Sequence, residues 1–118
     1  MTSGDVVRGD VVEVNLDPTV GTEIKKTRPC VVVQNNAGNK YSRRTIIVPA
    51  TDAEHVAKPF AIHVLVTAGD GGLSKPSMVL CDQIRAVDKS RLVRTLGRLS
   101  SSTMTRVDAA LKISLALK

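Results

Sequence analysis

Short alternating and continuous apolar stretches fill the first two thirds of the chain, and a helical spacing replaces them in the last third. Val11-Val12-Glu13-Val14-Asn15-Leu16 alternates apolar and polar positions from Val12 onward, the two-residue period of a half-buried strand. Cys30-Val31-Val32-Val33-Gln34 and Thr45-Ile46-Ile47-Val48 are short, β-branched and continuous, which predicts strands covered on both faces. Phe60 to Val66 predicts a further strand, followed by the turn-forming run Ala68-Gly69-Asp70-Gly71-Gly72. Met78 to Arg85 predicts another. Asp88 is suited to cap a short turn through Lys89-Ser90-Arg91-Leu92, and Arg94 to Leu99 reads as one more strand. From Ser102 onward, Met104, Val107, Ala110-Leu111, Ser114 and Leu115 recur at helical spacing, with Arg106, Asp108 and Lys112 between them. Ser101 or Ser102 is the expected N-cap. Five or six short strands followed by one amphipathic helix predict a mainly β fold, a small curled barrel with a C-terminal helix packed on it.

A chain of 118 residues is one domain in length. No repeat, low-complexity tract or linker divides it, so residues 1–118 are expected to form a single unit with its core over about 8–117. An apolar share of 42% supplies a core, which argues against disorder. No apolar run approaches the roughly 18 residues that span a bilayer. The start, MTSGDVVRGD, has neither a basic nor an apolar leader segment. Cys30 and Cys81 both lie inside apolar runs, which reads as buried thiols in a reducing compartment. A cytoplasmic protein is the expectation.

Charge adds a partner class. Lys and Arg exceed Asp and Glu by 17 to 11, a net of +6, and the excess is clustered. In residues 1–20 Arg8 faces Asp5, Asp10, Glu13 and Asp17, a net of −3. Residues 25–44 hold Lys25, Lys26, Arg28, Lys40, Arg43 and Arg44 without an acid, a net of +6. Residues 85–106 hold Arg85, Lys89, Arg91, Arg94, Arg98 and Arg106 against Asp88, a net of +5. Such clusters favour a polyanion through counterion release. With Tyr41 and Phe60 as the only aromatics, a base-stacking platform is disfavoured, and nucleic acid would be held by phosphate contacts and polar groups.

Several chemistries find no support. His55 and His63 lack ligand-spaced partners, so no metal is expected. Neither a P-loop nor a GxGxxG run occurs, and no GxSxG elbow accompanies a serine. No cofactor is implied. One constellation remains. Thr22-Glu23-Ile24-Lys25-Lys26-Thr27-Arg28-Pro29 is a polar loop between two apolar strands, and Pro29 holds Arg28 extended at the mouth of the second. Val48-Pro49-Ala50-Thr51-Asp52 leaves the next strand with Thr51 near its end. If the two strands pair antiparallel, Arg28 and Thr51 become neighbours, a fork of donors beside a hydroxyl that suits a phosphate. RNA carries its own nucleophile, the 2′-hydroxyl. Such a pair would then need only to align it, stabilise the phosphorane and protonate the leaving 5′-oxygen. Glu23 and His63 stand as alternatives for the general base, a role to which arginine's high pKa is poorly suited.

The run Arg8-Gly9-Asp10-Val11-Val12, then Gly21-Thr22-Glu23 through Arg28-Pro29-Cys30-Val31-Val32-Val33-Gln34-Asn35, resembles the opening signature of the MazF/PemK family. Asn39-Lys40-Tyr41, Ile46 to Thr51, Pro59 to Val64 and Leu80 to Asp88 continue it in order and spacing, so the likeness covers about residues 8–117. The resemblance implies an SH3-like, PemK/CcdB-like barrel and a homodimeric toxin of a type II toxin–antitoxin pair. It implies a metal-independent endoribonuclease that cuts single-stranded RNA at short sequences, leaving a 2′,3′-cyclic phosphate (or 3′-phosphate) and a 5′-hydroxyl. The family's catalytic arginine and threonine fall on Arg28 and Thr51. Thr22, Glu23, Lys25, Lys26 and Gln83 are the candidates for RNA binding, since polar groups must read base edges here. A Gly-Gly pair that often precedes the arginine in the family is replaced by Lys25-Lys26, a stiffer and more cationic loop. The implied partners are mRNA and a cognate antitoxin with an acidic tail, with no membrane. A non-catalytic toxin of the same fold that inhibits DNA gyrase, or an SH3-like RNA-binding module, is the alternative.

Overall fold

The structure is a computed structural model and describes residues 5–118; the reading of the first four residues lies outside the described residues. Seven strands and two helices follow in the order β1 (Asp10–Asn15), β2 (Thr27–Val32), α1 (Asn36–Tyr41), β3 (Arg44–Asp52), β4 (His63–Val66), β5 (Ser77–Leu80), β6 (Arg85–Asp88), β7 (Leu92–Arg98) and α2 (Ser101–Ser114). Single 3-10 turns lie at Ala53–His55, Asp70–Gly72 and Lys89–Arg91. The strands pair in the order β4-β5-β3-β2-β1-β7, with β6 also on β3, and each of these pairings is antiparallel. The expected mainly β fold with a C-terminal helix is present. Its curl is that of an open sheet, because no ladder joins β4 to β7 among the described residues.

Both faces of the sheet are covered, which explains the continuous valine runs. Val11, Val31 and Val48 face one core with Ala50, Val64, Val66, Val79 and, from α2, Val107 and Ala110. Val12, Val14, Cys30, Val32 and Ile47 face a second core with Val6, Leu16, Val87 and Leu92. Neighbouring residues of one strand thus serve opposite cores. Each fully buried valine or isoleucine contributes about 1.5–3 kcal/mol relative to exposure. Burial pushes the thiols of Cys30 and Cys81 up to about 12, so both are packing groups and poor nucleophiles.

The structure corrects the sequence reading at several points. The single strand expected over Met78–Arg85 is divided. Ala50 pairs with Val79 and Ile47 with Arg85, so three steps along β3 correspond to six along its partner. The extra residues loop out around Cys81–Ile84 and carry Asp82 and Gln83 off the ladder. Phe60–Ile62 belongs to a turn, with the strand beginning at His63. Strand β3 runs on past Val48 to Asp52, so Thr51 stands near the strand end as expected. Helix α1 had no apolar period to announce it. It is held by Asn35, whose side chain accepts from the Gly38 amide at 2.7 Å. Buried Asn39 also holds it, accepting from the Thr45 hydroxyl at 2.7 Å and donating to the Gln34 carbonyl at 3.0 Å. Asp88 does cap its turn, accepting from the Ser90 amide at 2.8 Å. The N-cap of α2 is Ser100, one residue before the expected pair.

Charge is redistributed by pairing. The antiparallel contact of β1 with β7 sets the acidic N-terminal segment against the basic C-terminal one. Glu13 pairs with Arg94 and Asp10 with Arg98, while Arg8 reaches Asp108 and Lys89 reaches Asp5. Lys89, Arg94 and Arg98, three of the six basic residues of the 85–106 run, are therefore paired with acids rather than free to widen a cationic face. Lys25, Lys26, Arg28, Lys40, Arg43 and Arg44 form no ion pair among the described residues. Of these, Arg44 lies at the opposite end of β3 from Thr51.

The turn before β5 locks the helix onto the sheet. Gly72 has φ +76°, and a Cβ there would sit 2.2 Å from the Leu96 carbonyl oxygen, so only glycine permits this approach to β7. Asp70 in the same turn accepts from the Thr103 hydroxyl at 2.6 Å, the Ser100 amide at 2.8 Å and the Ser100 hydroxyl at 3.1 Å. Burial alone would raise its carboxyl. The hydrogen bonds from Thr103 and Ser100 and the nearby Arg106 charge outweigh that and hold it below the usual value. A carboxylate depressed in the folded state stabilises fully above its unfolded pKa, near 3.9, and loses that contribution as pH falls through the folded value. Asp70→Asn is expected to lower Tm at pH 7, with the gap to the parent protein closing below about pH 4. Thermal unfolding across pH checks this, and a pH-independent gap would refute the electrostatic part.

Candidate active site

Strand β2 runs beside β3 only through Val32↔Ile47, Val31↔Val48 and Cys30↔Pro49. Pro29 and Pro49 contribute no N–H donor where that ladder ends. Beyond it, β2 stays on β1, with Arg28 opposite Val14, while β3 turns to β5, with Thr51 opposite Met78. Arg28 and Thr51 thus lie two residues past the last pair, at positions that the same register would set opposite one another. By two-residue alternation both project to the face of Cys30 and Ile47. The antiparallel pairing expected of the two strands is present, and its ladder stops two residues short of Arg28 and Thr51.

Each side chain has one anchor. Arg28 Nε donates to the Lys25 carbonyl at 3.1 Å, and its terminal amino groups have no partner among the described residues. A guanidinium held at Nε with both Nη groups open is arranged for a planar, two-point contact with an oxyanion. Thr51 Oγ1 lies 3.3 Å from His55 Nδ1. His55 is a neighbour that sequence reasoning weighed only as a metal ligand. The signal was available in the spacing, because Thr51 and His55 are separated by one tight turn, Ala53–His55.

A cavity of about 460 Å³ opens on the same face. It is bounded by Thr22, Glu23 and Ile24 of the loop after β1, by Ile47 and Pro49 of β3, by Asp82 and Gln83 of the looped-out segment, and by Arg85 at the start of β6. Neither Arg28 nor Thr51 lines it; Pro49, two residues from Thr51, does. The loop is fastened from beneath. Gln83 Oε1 accepts from the Ile24 amide at 2.9 Å, and Arg85 donates to the Leu16 carbonyl at 2.7 Å. Gln83 therefore holds the loop with its acceptor, and its amide nitrogen has no partner among the described residues. Lys25 and Lys26 are exposed outside the cavity. Lys26 has φ +70°, a conformation glycine takes freely and lysine at a cost of about 1–2 kcal/mol. It is held there because its amide donates to Asp17 Oδ1 at 3.1 Å and its carbonyl accepts from the Leu16 amide at 3.0 Å.

The residues weighed as general base are occupied elsewhere. Glu23 Oε1 accepts from the Val20 amide at 2.7 Å. His63 has a side chain only 11% exposed. Its Nδ1 accepts from the Phe60 amide at 3.0 Å, and its Nε2 lies 3.9 Å from Asp82. Asp52, Glu54 and His55 bring ligand-type atoms within 4.8 Å of one another. All three are at least partly exposed, and the Lys75 ammonium lies 3.8 Å from Asp52.

The profile of a family described as PemK-like, MazF-like toxin of type II toxin–antitoxin system matches residues 7–115. The chain is 44% identical over 110 residues to endoribonuclease MazF of Staphylococcus epidermidis, covering 93% of this chain and 91% of that protein. It is 42% identical over 112 residues to endoribonuclease EndoA of Bacillus subtilis strain 168, covering 95% and 96%. Among solved structures it resembles MazF of Deinococcus radiodurans, with TM-score 0.83, 25% identity and coverage of 98% and 100%. A mycobacterial endoribonuclease in complex with its cognate antitoxin is similar too, with TM-score 0.79, 25% identity and coverage of 96% and 97%. With a family profile spanning nearly its whole length, and relatives that share the fold end to end, the chain belongs to the PemK-like, MazF-like toxins of type II toxin–antitoxin systems.

Proposed function

We propose that this toxin is a metal-independent, sequence-specific endoribonuclease acting on single-stranded mRNA in the cytoplasm. What supports the reading is the β2–β3 register, which, carried two residues past its last pair, sets Arg28 and Thr51 on one face where the strands part, the arginine with its Nη groups open. The endoribonucleases of S. epidermidis and B. subtilis named above support the reaction class. In the proposed step the 2′-oxygen gives its proton to solvent water and bonds to phosphorus, and the bond to the 5′-oxygen breaks. The 5′-oxygen takes a proton from water, leaving a 2′,3′-cyclic phosphate that a second water opens to a 3′-phosphate. Arg28 donates to the equatorial oxygens through its open Nη groups. Thr51 donates to a non-bridging oxygen. The substrate supplies the nucleophile, so the protein supplies donors and alignment.

RNA binding is assigned to Thr22, Glu23 and Gln83 around the cavity, with Lys25 and Lys26 at its outer edge. The cavity offers carboxylate acceptors and one amide donor to a base edge, and the lysines neutralise phosphates. A cognate antitoxin with an acidic segment would compete for the same three cations, Lys25, Lys26 and Arg28. The solved complex of a mycobacterial endoribonuclease with its antitoxin supports a partner of this kind. Exposed Ile113, Leu115 and Leu117, at and beyond the end of α2, supply apolar surface that a homodimer would bury. No helix among the described residues is long and apolar enough to cross a membrane.

Arg28→Ala and Thr51→Ala are each expected to reduce cleavage of a long unstructured RNA in EDTA by about 10²–10³-fold. Thermal stability should stay unchanged. Undiminished cleavage by Arg28→Ala would refute the site. Replacing both Lys25 and Lys26 by Ala is expected to weaken binding of an uncleavable RNA. It should also flatten the slope of log affinity against log salt by about 1.4. Affinity titrations from low to moderate salt read this, and an unchanged slope would take the two lysines out of the RNA path.

A further inference from the structure

The nuclease reading leaves one hydroxyl without an assigned orientation. A threonine hydroxyl has one proton, and it serves a phosphate oxygen only if that proton is free to be donated outward. Thr51 Oγ1 lies 3.3 Å from His55 Nδ1. When Nδ1–H is the donor of that contact, Thr51 accepts from the ring and its own O–H is left for the substrate. When Nδ1 is the acceptor, the threonine proton is consumed by the ring and the hydroxyl offers a phosphate only lone pairs. The state of a single ring nitrogen therefore decides whether Thr51 repels or binds an oxyanion.

The ring is fixed at the end of a short, pinned turn. His55 ends the 3-10 turn Ala53–His55, which is pinned to the segment leading into β5 by the Ala53 amide donating to the Pro76 carbonyl at 2.9 Å. The Val56 amide closes the turn on the Ala53 carbonyl. On the far side of the ring, Nε2 lies 4.0 Å from Glu54 Oε1; a ring protonated on both nitrogens turns Nε2–H to that carboxylate and Nδ1–H to Thr51. Asp52, itself 3.8 Å from Lys75, lies within the same cluster. The side chain is 56% exposed, so its removal leaves no core cavity.

Resting on the nuclease reading, we infer that His55 is a positioning residue: its Nδ1–H orients the Thr51 hydroxyl so that the threonine proton points to the scissile phosphate. A donor chain of this kind strengthens each member, since a hydroxyl that accepts a hydrogen bond becomes a better donor. The role belongs to the Nδ1 position and not to imidazole as such. Asparagine sets its amide nitrogen where Nδ1 stands, whereas glutamine sets its own where Nε2 stands.

The test compares single-turnover RNA cleavage by the full-length wild-type protein, His55→Ala, His55→Asn, His55→Gln, Thr51→Ala and the His55→Ala/Thr51→Ala double variant. His55→Ala is expected to cleave about 10-fold more slowly, the worth of about one hydrogen bond, with KM little changed. His55→Asn should recover to within about 3-fold of wild type, while His55→Gln stays with the alanine variant. In the Thr51→Ala background the His55→Ala change should cost less than about 2-fold, because the two residues act as one unit. Wild-type rates in His55→Ala would overturn the inference and leave the nuclease reading standing. So would asparagine as slow as alanine, or an equal loss in both backgrounds. Absence of cleavage by the wild-type protein itself would overturn both.

Discussion

Two prolines set the geometry on which the site depends. Pro29 and Pro49 stand at the end of the β2–β3 ladder, where neither contributes an N–H. Past them β3 exchanges β2 for β5 as its partner, and the sheet divides. Main-chain donors no longer fill the space between the two strands there. The face that is packed solid at Cys30 and Ile47 opens, one step later, into the region of Arg28 and Thr51. The same parting of strands that limits the ladder thus frees polar side chains at a rigid edge, held by two cores on either side of the sheet.

Charge is sorted by the same topology. Pairing β1 with β7 brings Asp10 and Glu13 onto Arg98 and Arg94, so those charges cancel locally. Lys25, Lys26 and Arg28 stay unpaired among the described residues, beside the open end of the ladder. They attract a polyanion toward the donor fork, as Arg43 and Arg44 do toward the other end of β3. The looped-out segment between β5 and β6 completes the arrangement, because Gln83 and the adjoining Arg85 fasten the loop before β2 from below.

Much of this was legible in the sequence, for identifiable reasons. Continuous β-branched runs announced strands buried on both faces, and Pro29 marked Arg28 as a strand-edge residue. What escaped was encoded in pairing rather than in pattern. Three extra residues between Val79 and Arg85 are visible only against the register of β3. Helix α1 has no apolar stripe and exists through the side chains of Asn35 and Asn39. The pairing of Arg94 and Arg98 with acids depends on contacts between residues more than eighty positions apart. His55 has no partner at metal-ligand spacing in the sequence, and its link to Thr51 lies in the tight turn after the strand end that returns the chain to its own threonine.

The most direct measurement is the structure of the toxin with an RNA whose scissile 2′-hydroxyl is replaced by hydrogen. A single phosphate should accept hydrogen bonds from an Arg28 Nη and from the Thr51 hydroxyl, each at about 2.6–3.2 Å. A phosphate held by one of the two and out of reach of the other, or an RNA path along Arg43 and Arg44 at the far end of β3, would contradict it.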